Sequence, residues 1–176
     1  MDFRELTDDD LLLLHGWLNG PGVVRWWEGE DVTWETVVRD YGSQNTEPVE
    51  YWIAIEDGVE VGWIQCYAAS SFADEEETAH WFRLGIHQSA GGIDYLIGSP
   101  EQRRKGIGSA MIQAFVSDIV FPRHPEWTQV CASPVAANIA SWRALEKAGF
   151  THRASFTDKN GLCKLMVRDR DSDPAT

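Results

Sequence analysis

The chain has 176 residues, 43% hydrophobic and 24% charged, a length and balance that fit one folded domain and exclude a disordered or collagen-like chain. No apolar run approaches the roughly 20 residues of a membrane-spanning helix. Fifteen Lys and Arg oppose 28 Asp and Glu, and the charge is split: residues 1–100 hold 4 basic and 20 acidic side chains, residues 101–176 hold 11 and 8, so the first part repels nucleic acid and attracts a polycation while the second suits a phosphate.

The opening MDFRELT places acids where a secretion signal has bases, so the chain reads as cytoplasmic. FRELT reads as a strand. Asp8 to Asp10 suit a helix start, and Leu11 to Leu18 continue the helix until Gly20-Pro21-Gly22 stops it. A second helix is expected from Thr33 to about Tyr41. Two alternating apolar runs flank Asp57-Gly58 in YWIAIEDGVEVGWIQCYA, a hairpin signal. Residues 70–90 are expected to form one long loop, a length that marks function or mobility in a small domain. GGIDYLIG reads as a central strand, Lys105 to Val120 as an amphipathic helix, and WTQVCAS as a further strand. Asn138 to Lys147 forms a helix with Gly149 at its C′ position. Strands near 150–156 and 162–168 flank the turn Lys159-Asn160-Gly161, and the tail RDRDSDPAT is expected to fray. Strands outnumber helices, and hairpins alternate with single crossovers. This order predicts a mixed α/β sheet rather than a doubly wound parallel one.

Cys66, Cys131 and Cys163 are odd in number and far apart, so they suggest neither a disulfide framework nor a metal knuckle. Each lies in an apolar, strand-like run where cysteine acts as a small hydrophobe. The five histidines show no ligand spacing, and no metal is expected.

The sharpest motif is Arg103-Arg104-Lys105-Gly106-Ile107-Gly108-Ser109, after a strand and at the start of a helix. The glycines let backbone approach a ligand. N–H groups at a helix start bind phosphate oxygens with help from the helix dipole, and three cations add charge. The motif is not a Walker loop, because no Lys-Ser or Lys-Thr pair follows the second glycine. Met111 occupies the position where a dinucleotide fingerprint needs its third glycine.

Arg-x-x-Gly-x-Gly at 103–108 resembles the coenzyme A pyrophosphate loop of the GNAT superfamily of N-acetyltransferases. The run Asn138-Ile-Ala-Ser-Trp-Arg-Ala-Leu-Glu-Lys-Ala-Gly-Phe150 resembles that superfamily's second signature. The resemblance implies one acetyltransferase domain over 1–170 with a frayed tail at 171–176. It further implies a mixed, mostly antiparallel sheet, flanked by helices and splayed at the acetyl-CoA site. The co-substrate is then acetyl-CoA. Its pantetheine arm pairs near Tyr95, Leu96 and Ile97, and its diphosphate lies against residues 103–109, with Asn138 also on the cofactor side.

Within the superfamily the chain is most similar to the aminoglycoside 6′-N-acetyltransferases. Four segments carry this: Trp17-Leu18-Asn19 with Val24 to Trp27, Gly62 to Tyr67, Gly92-Ile93-Asp94-Tyr95, and Ser133-Pro134 before Asn138. The resemblance implies Asp94 as the base for the acceptor amine. It implies Trp26 or Trp27, Tyr41, Gln65, Trp81 or Phe82, and Ser133 on the acceptor side. A carboxylate in the apolar strand GGIDYLIG needs a reason, and taking a proton from an ammonium supplies one. Asp74, Glu75, Glu76 and Glu77 offer charge to concentrate a polycation, and aromatic faces suit sugars and cations. Of Trp26 and Trp27, one is expected in the core.

Two departures stand out. Many GNAT enzymes carry a Tyr just before Glu-Lys-x-Gly-Phe to protonate the leaving sulfur, whereas this chain has Leu145. An Asp tends to precede the matching proline in the aminoglycoside enzymes, and here Ser133 does. The partner expected is a small polycationic amine, with no nucleic acid or membrane, and the chain reads as a monomer or homodimer. Competing readings are a GNAT enzyme for a siderophore hydroxylamine, a polyamine or a protein N-terminus, and a non-catalytic acyl-CoA-binding domain.

Overall fold

The computed structural model describes residues 1–27, 32–98 and 106–170. Its seven strands form one sheet in the order β1-β2-β3-β4-β5-β7-β6: β1 Asp2–Glu5, β2 Val49–Glu56, β3 Val59–Ala68, β4 Ala90–Ile97, β5 Gln129–Ala132, β6 Thr151–Asp158 and β7 Gly161–Asp169. Among the described residues, no helix is long and apolar enough to cross a membrane. By contacts the chain divides into two compact units, residues 1–65 with 95–108 and residues 66–94 with 109–176.

In the first unit, β1 pairs antiparallel with β2, Asp2 opposite Ile55 and Glu5 opposite Trp52. Helix α1, Leu11–Leu18, is expected from its leucines, because Leu11, Leu14 and Leu18 recur at helical spacing and are all buried. Arg4 grips Asp10 with two bonds of 2.6 and 2.7 Å. Asp10 in turn accepts from the Thr7 N–H at 2.9 Å, which fixes the turn into α1. Helix α2, Trp34–Tyr41, starts at Thr33, whose side chain accepts from the Thr36 N–H. The expected hairpin between β2 and β3 turns at Asp57 and Gly58, both at positive φ (51° and 77°), the signature of a tight hairpin turn. The core gathers Leu14, Leu18, Val37, Ile53, Trp63 and Leu96.

In the second unit, β4 pairs parallel with β5 from Ala90 opposite Gln129 to Gly92 opposite Cys131. Strand β5 also pairs antiparallel with β7, and β7 with β6. Helix α6, Ile139–Lys147, is capped by the Asn138 side chain accepting from the Ser141 N–H. It ends on Gly149 at φ 89°, where Gly149 N–H bonds Glu146 O and Phe150 N–H bonds Leu145 O. That is the expected glycine-ended cap.

Two expectations need correction. Residues 70–90 are not one loop: a 3-10 turn, Ala69–Phe72, leads into helix α3, Glu76–Arg83. Acids in the first turn and His80 and Arg83 in the last complement the helix dipole, and Thr78 and Trp81 provide a buried face. The helix expected over 105–120 is also not uniform. Helix α4, Ile107–Ala114, passes into a π-helical stretch, Phe115–Val120, and then α5, Phe121–Arg123. Widening to i→i+5 bonds disturbs the carbonyl ladder at the junction. Buried Arg168 of β7 donates there to Gln113 O at 3.3 Å and Ser117 Oγ at 2.7 Å. Arg170 closes the end by donating to Phe121, His124 and Trp127 carbonyls.

Candidate active site

Three candidate residues of the glycine turn, Arg103, Arg104 and Lys105, lie outside the described residues. The turn is described from Gly106, whose φ of 84° falls where a side chain is strained. Ile107, Gly108 and Ser109 open α4. Gly106 thus has the backbone shape that a glycine there foretells.

In the first unit, the acceptor-side candidates form part of an aromatic group. Trp27 meets the Trp63 ring edge-on at 5.4 Å between centroids, and Tyr41 does so at 5.5 Å. Tyr51 stacks on Trp63 at 6.1 Å. Trp63 is fully buried, and its Nε1 has no hydrogen-bond partner among the described residues. Trp27 packs against the core. Trp26 is half-buried under the Arg25 guanidinium, 4.2 Å from its ring centre. So Trp27 is the core partner of the pair. Gln65, Tyr95 and Ile97 are half-buried and Leu96 is buried.

In the second unit, Asp94 sits half-buried on β4. Glycine is needed just before it, because a Cβ on Gly92 would collide with the Tyr67 ring. Tyr67 therefore lies close over β4. Burial first, then the charges of Asp94 and Glu77, holds its phenol well above its ordinary pKa. Glu77 on α3 is itself pushed up to about 8, by burial, by Asp94 and by Asp158, against a bond from Ser133 that favours its carboxylate. Ser133 also accepts a hydrogen bond from the Trp81 indole N–H. The β4–β5 pairing ends at Gly92 opposite Cys131, two residues before Asp94 and Ser133.

Not every expected residue takes the expected place. Trp81 is wholly buried and packs as an anchor for α3, because its indole N–H finds Ser133 inside the fold. Phe82 is half-buried. Asp74 and Glu75 are exposed, Glu75 being the N-cap residue of α3. Asn138 caps α6, and Leu145 is fully buried. The sequence names Glu77 only as one of four acids in a loop and does not mark Tyr67 or Asp158 as site residues. For Glu77 a signal existed, since it lies one helical turn before Trp81 and shares its inward face. All three cysteines are buried. Burial pushes the Cys131 thiol well up and that of Cys163 to about 12, so neither is a thiolate nucleophile near neutral pH.

A profile of the acetyltransferase (GNAT) domain matches residues 7–157. Aminoglycoside N(6′)-acetyltransferase type 1 of Klebsiella pneumoniae is 33% identical over 174 residues, covering 95% of this chain and 82% of that protein. A kanamycin resistance protein of Rhizobium radiobacter is 30% identical over 94 residues, 53% of this chain and 85% of its own length. Among solved structures, AAC(6′)-Ib with paromomycin and acetyl-CoA superposes with a TM-score of 0.82 at 28% identity, over 99% of this chain and 98% of that one. Its complex with ribostamycin and coenzyme A gives 0.84 at 28% identity, with the same coverage. With the glycine turn, the capped α6 and a profile match over most of its length, the chain belongs to the acetyltransferase (GNAT) domain family.

Proposed function

We propose that this chain transfers the acetyl group of acetyl-CoA to the 6′-amine of an aminoglycoside, by direct attack of the amine on the thioester. The observation that carries the reading is Asp94, a half-buried carboxylate in a strand otherwise made of apolar residues, Tyr and Gly. Similarity to named aminoglycoside acetyltransferases over 95% of the chain supports the acceptor.

The chemistry follows from the residues. The acceptor arrives as an ammonium, and Asp94 takes a proton from it directly or through one water. The freed nitrogen lone pair attacks the thioester carbon, a C–N bond forms, and a backbone N–H at Leu96 stabilises the developing oxyanion. The C–S bond then breaks, and the thiolate takes a proton from water or the Tyr95 hydroxyl, since Leu145 has none to give. Tyr95, Leu96 and Ile97 hold the pantetheine arm, and residues 103–109 hold the diphosphate, with Asn138 shaping the cofactor side. Trp26, Tyr41, Gln65, Asp74, Glu75, Phe82 and Ser133 serve the acceptor. Most of the rate comes from holding the two substrates together.

This reading takes residues 1–170 as one acetyltransferase domain with a tail at 171–176, acting in the cytoplasm as a monomer or homodimer. The test follows free thiol with acetyl-CoA and a panel of aminoglycosides. Thiol release above background is expected for those bearing a 6′-amine, and none for any of them overturns the reading.

A further inference from the structure

The Asp expected before Pro134 is absent, yet the position still bears on a negative charge. Ser133 accepts the Trp81 indole N–H, a group that only donates. Its single hydroxyl proton is left to point at the Glu77 carboxylate. Helix α3 is fixed in that pose from three sides. Trp81 meets Ser133 after β5, His80 stacks on Phe156 of β6 at 4.7 Å between centroids, and the Thr78 hydroxyl meets the Phe72 and Glu75 carbonyls. Asp158 lies two residues beyond Phe156, on the same face of β6.

We propose that Glu77, aimed by the Trp81–Ser133 hydrogen bond, is the second carboxylate of the acceptor site and selects an amine that has another ammonium group nearby. The proposal rests on the acceptor reading above and adds to it a second carboxylate with a defined partner. A polycation brings two positive groups, one for Asp94 and one for Glu77. A monoamine reaches only Asp94 and leaves Glu77 protonated, so it gains one charge contact where a polycation gains two.

The groups that bear on Glu77 are Asp94 of β4, Asp158 of β6 and Ser133. Glu77 in turn acts on Tyr67 of β3, Cys131 of β5 and Cys163 of β7, and His80 lies one turn along α3. The charges that shift Glu77 are both negative, so near neutral pH it is largely protonated without ligand, and a bound ammonium drives the proton off. Affinity for a polycation therefore rises as pH rises toward 8, while the ligand's own amines remain charged.

The test has two arms. The first follows the Glu77 carboxyl carbon by NMR through a pH titration of the ligand-free protein. Its midpoint is expected to fall in Asp94→Asn and to rise in Ser133→Ala, and a midpoint indifferent to both overturns the proposal. The second measures kanamycin by calorimetry and by steady-state kinetics. Glu77→Gln is expected to weaken kanamycin about tenfold near pH 8, to flatten the pH dependence of KM, and to leave KM for acetyl-CoA unchanged. Glu77→Asp is expected to restore part of the loss. If Glu77→Gln does not fold, Ser133→Ala carries the same expectation with the loss of one hydroxyl. Wild-type kanamycin affinity and pH profile in a folded variant overturn the proposal, as does a wild-type protein that binds no kanamycin. Binding without turnover leaves the Glu77 proposal standing and overturns only the acetyl-transfer reading.

Discussion

Asp94 and Glu77 carry the same functional group in surroundings that give it different work. In the proposed mechanism Asp94 must be an anion to take a proton, so Asp94→Asn is expected to lower kcat by about 10² to 10⁴ with little change in KM for acetyl-CoA, read by thiol release. Glu77 is raised by burial and by its acidic neighbours, and that has a consequence for stability with no ligand present. Between its ordinary value of 4.5 and its folded value of about 8, the folded state keeps a proton that the unfolded state has lost. The unfolded state binds fewer protons, so this group's contribution falls as pH rises across that window. Melting curves from about pH 5 to about pH 8.5 are expected to flatten in Glu77→Gln relative to the parent. A steeper fall in the variant contradicts the assignment. Leu145, where a proton-donating Tyr resembles the family pattern better, is part of the core here. Leu145→Ala is expected to cost about 2 to 5 kcal/mol in chemical denaturation.

At the scale of elements, the legible parts are those with local punctuation. Asn138 and Gly149 mark both ends of α6, Asp57-Gly58 fixes the hairpin, and the leucine spacing marks α1. Helix α3 escaped notice because its acidic opening reads as solvated loop, and its inward face rests on only Thr78 and Trp81, whose partners lie far away in sequence. The π-helical stretch is equally invisible locally, since the arginine that meets it sits on β7. Gly106 of the glycine motif was legible in sequence and takes the positive φ that the motif implies. Gly106→Ala forces a side chain into positive φ at a cost of about 1 to 2 kcal/mol. It is expected to raise KM for acetyl-CoA while leaving kanamycin affinity unchanged, as separate titrations would reveal.

Across the whole molecule, the acidic first 100 residues and the mildly basic remainder match a cationic acceptor and an anionic donor in sign. Charge attraction of this kind is screened within about 8 Å at physiological salt. Added salt is therefore expected to raise KM for kanamycin more steeply than for a singly charged amine, and equal slopes contradict an electrostatic role for the acidic half. The sequence made the family readable through two short motifs. The acceptor side was less so, because Glu77, Tyr67 and Ser133 meet only once β3, α3, β4 and β5 are folded. The most direct test of the account is to incubate the protein with acetyl-CoA and kanamycin, follow free thiol, and locate the new amide by NMR. The account predicts thiol release that needs both substrates, an acetyl group on the 6′ nitrogen, and a much slower reaction in Asp94→Asn. Thiol release no faster than background, or an Asp94→Asn variant as fast as the parent, would contradict it.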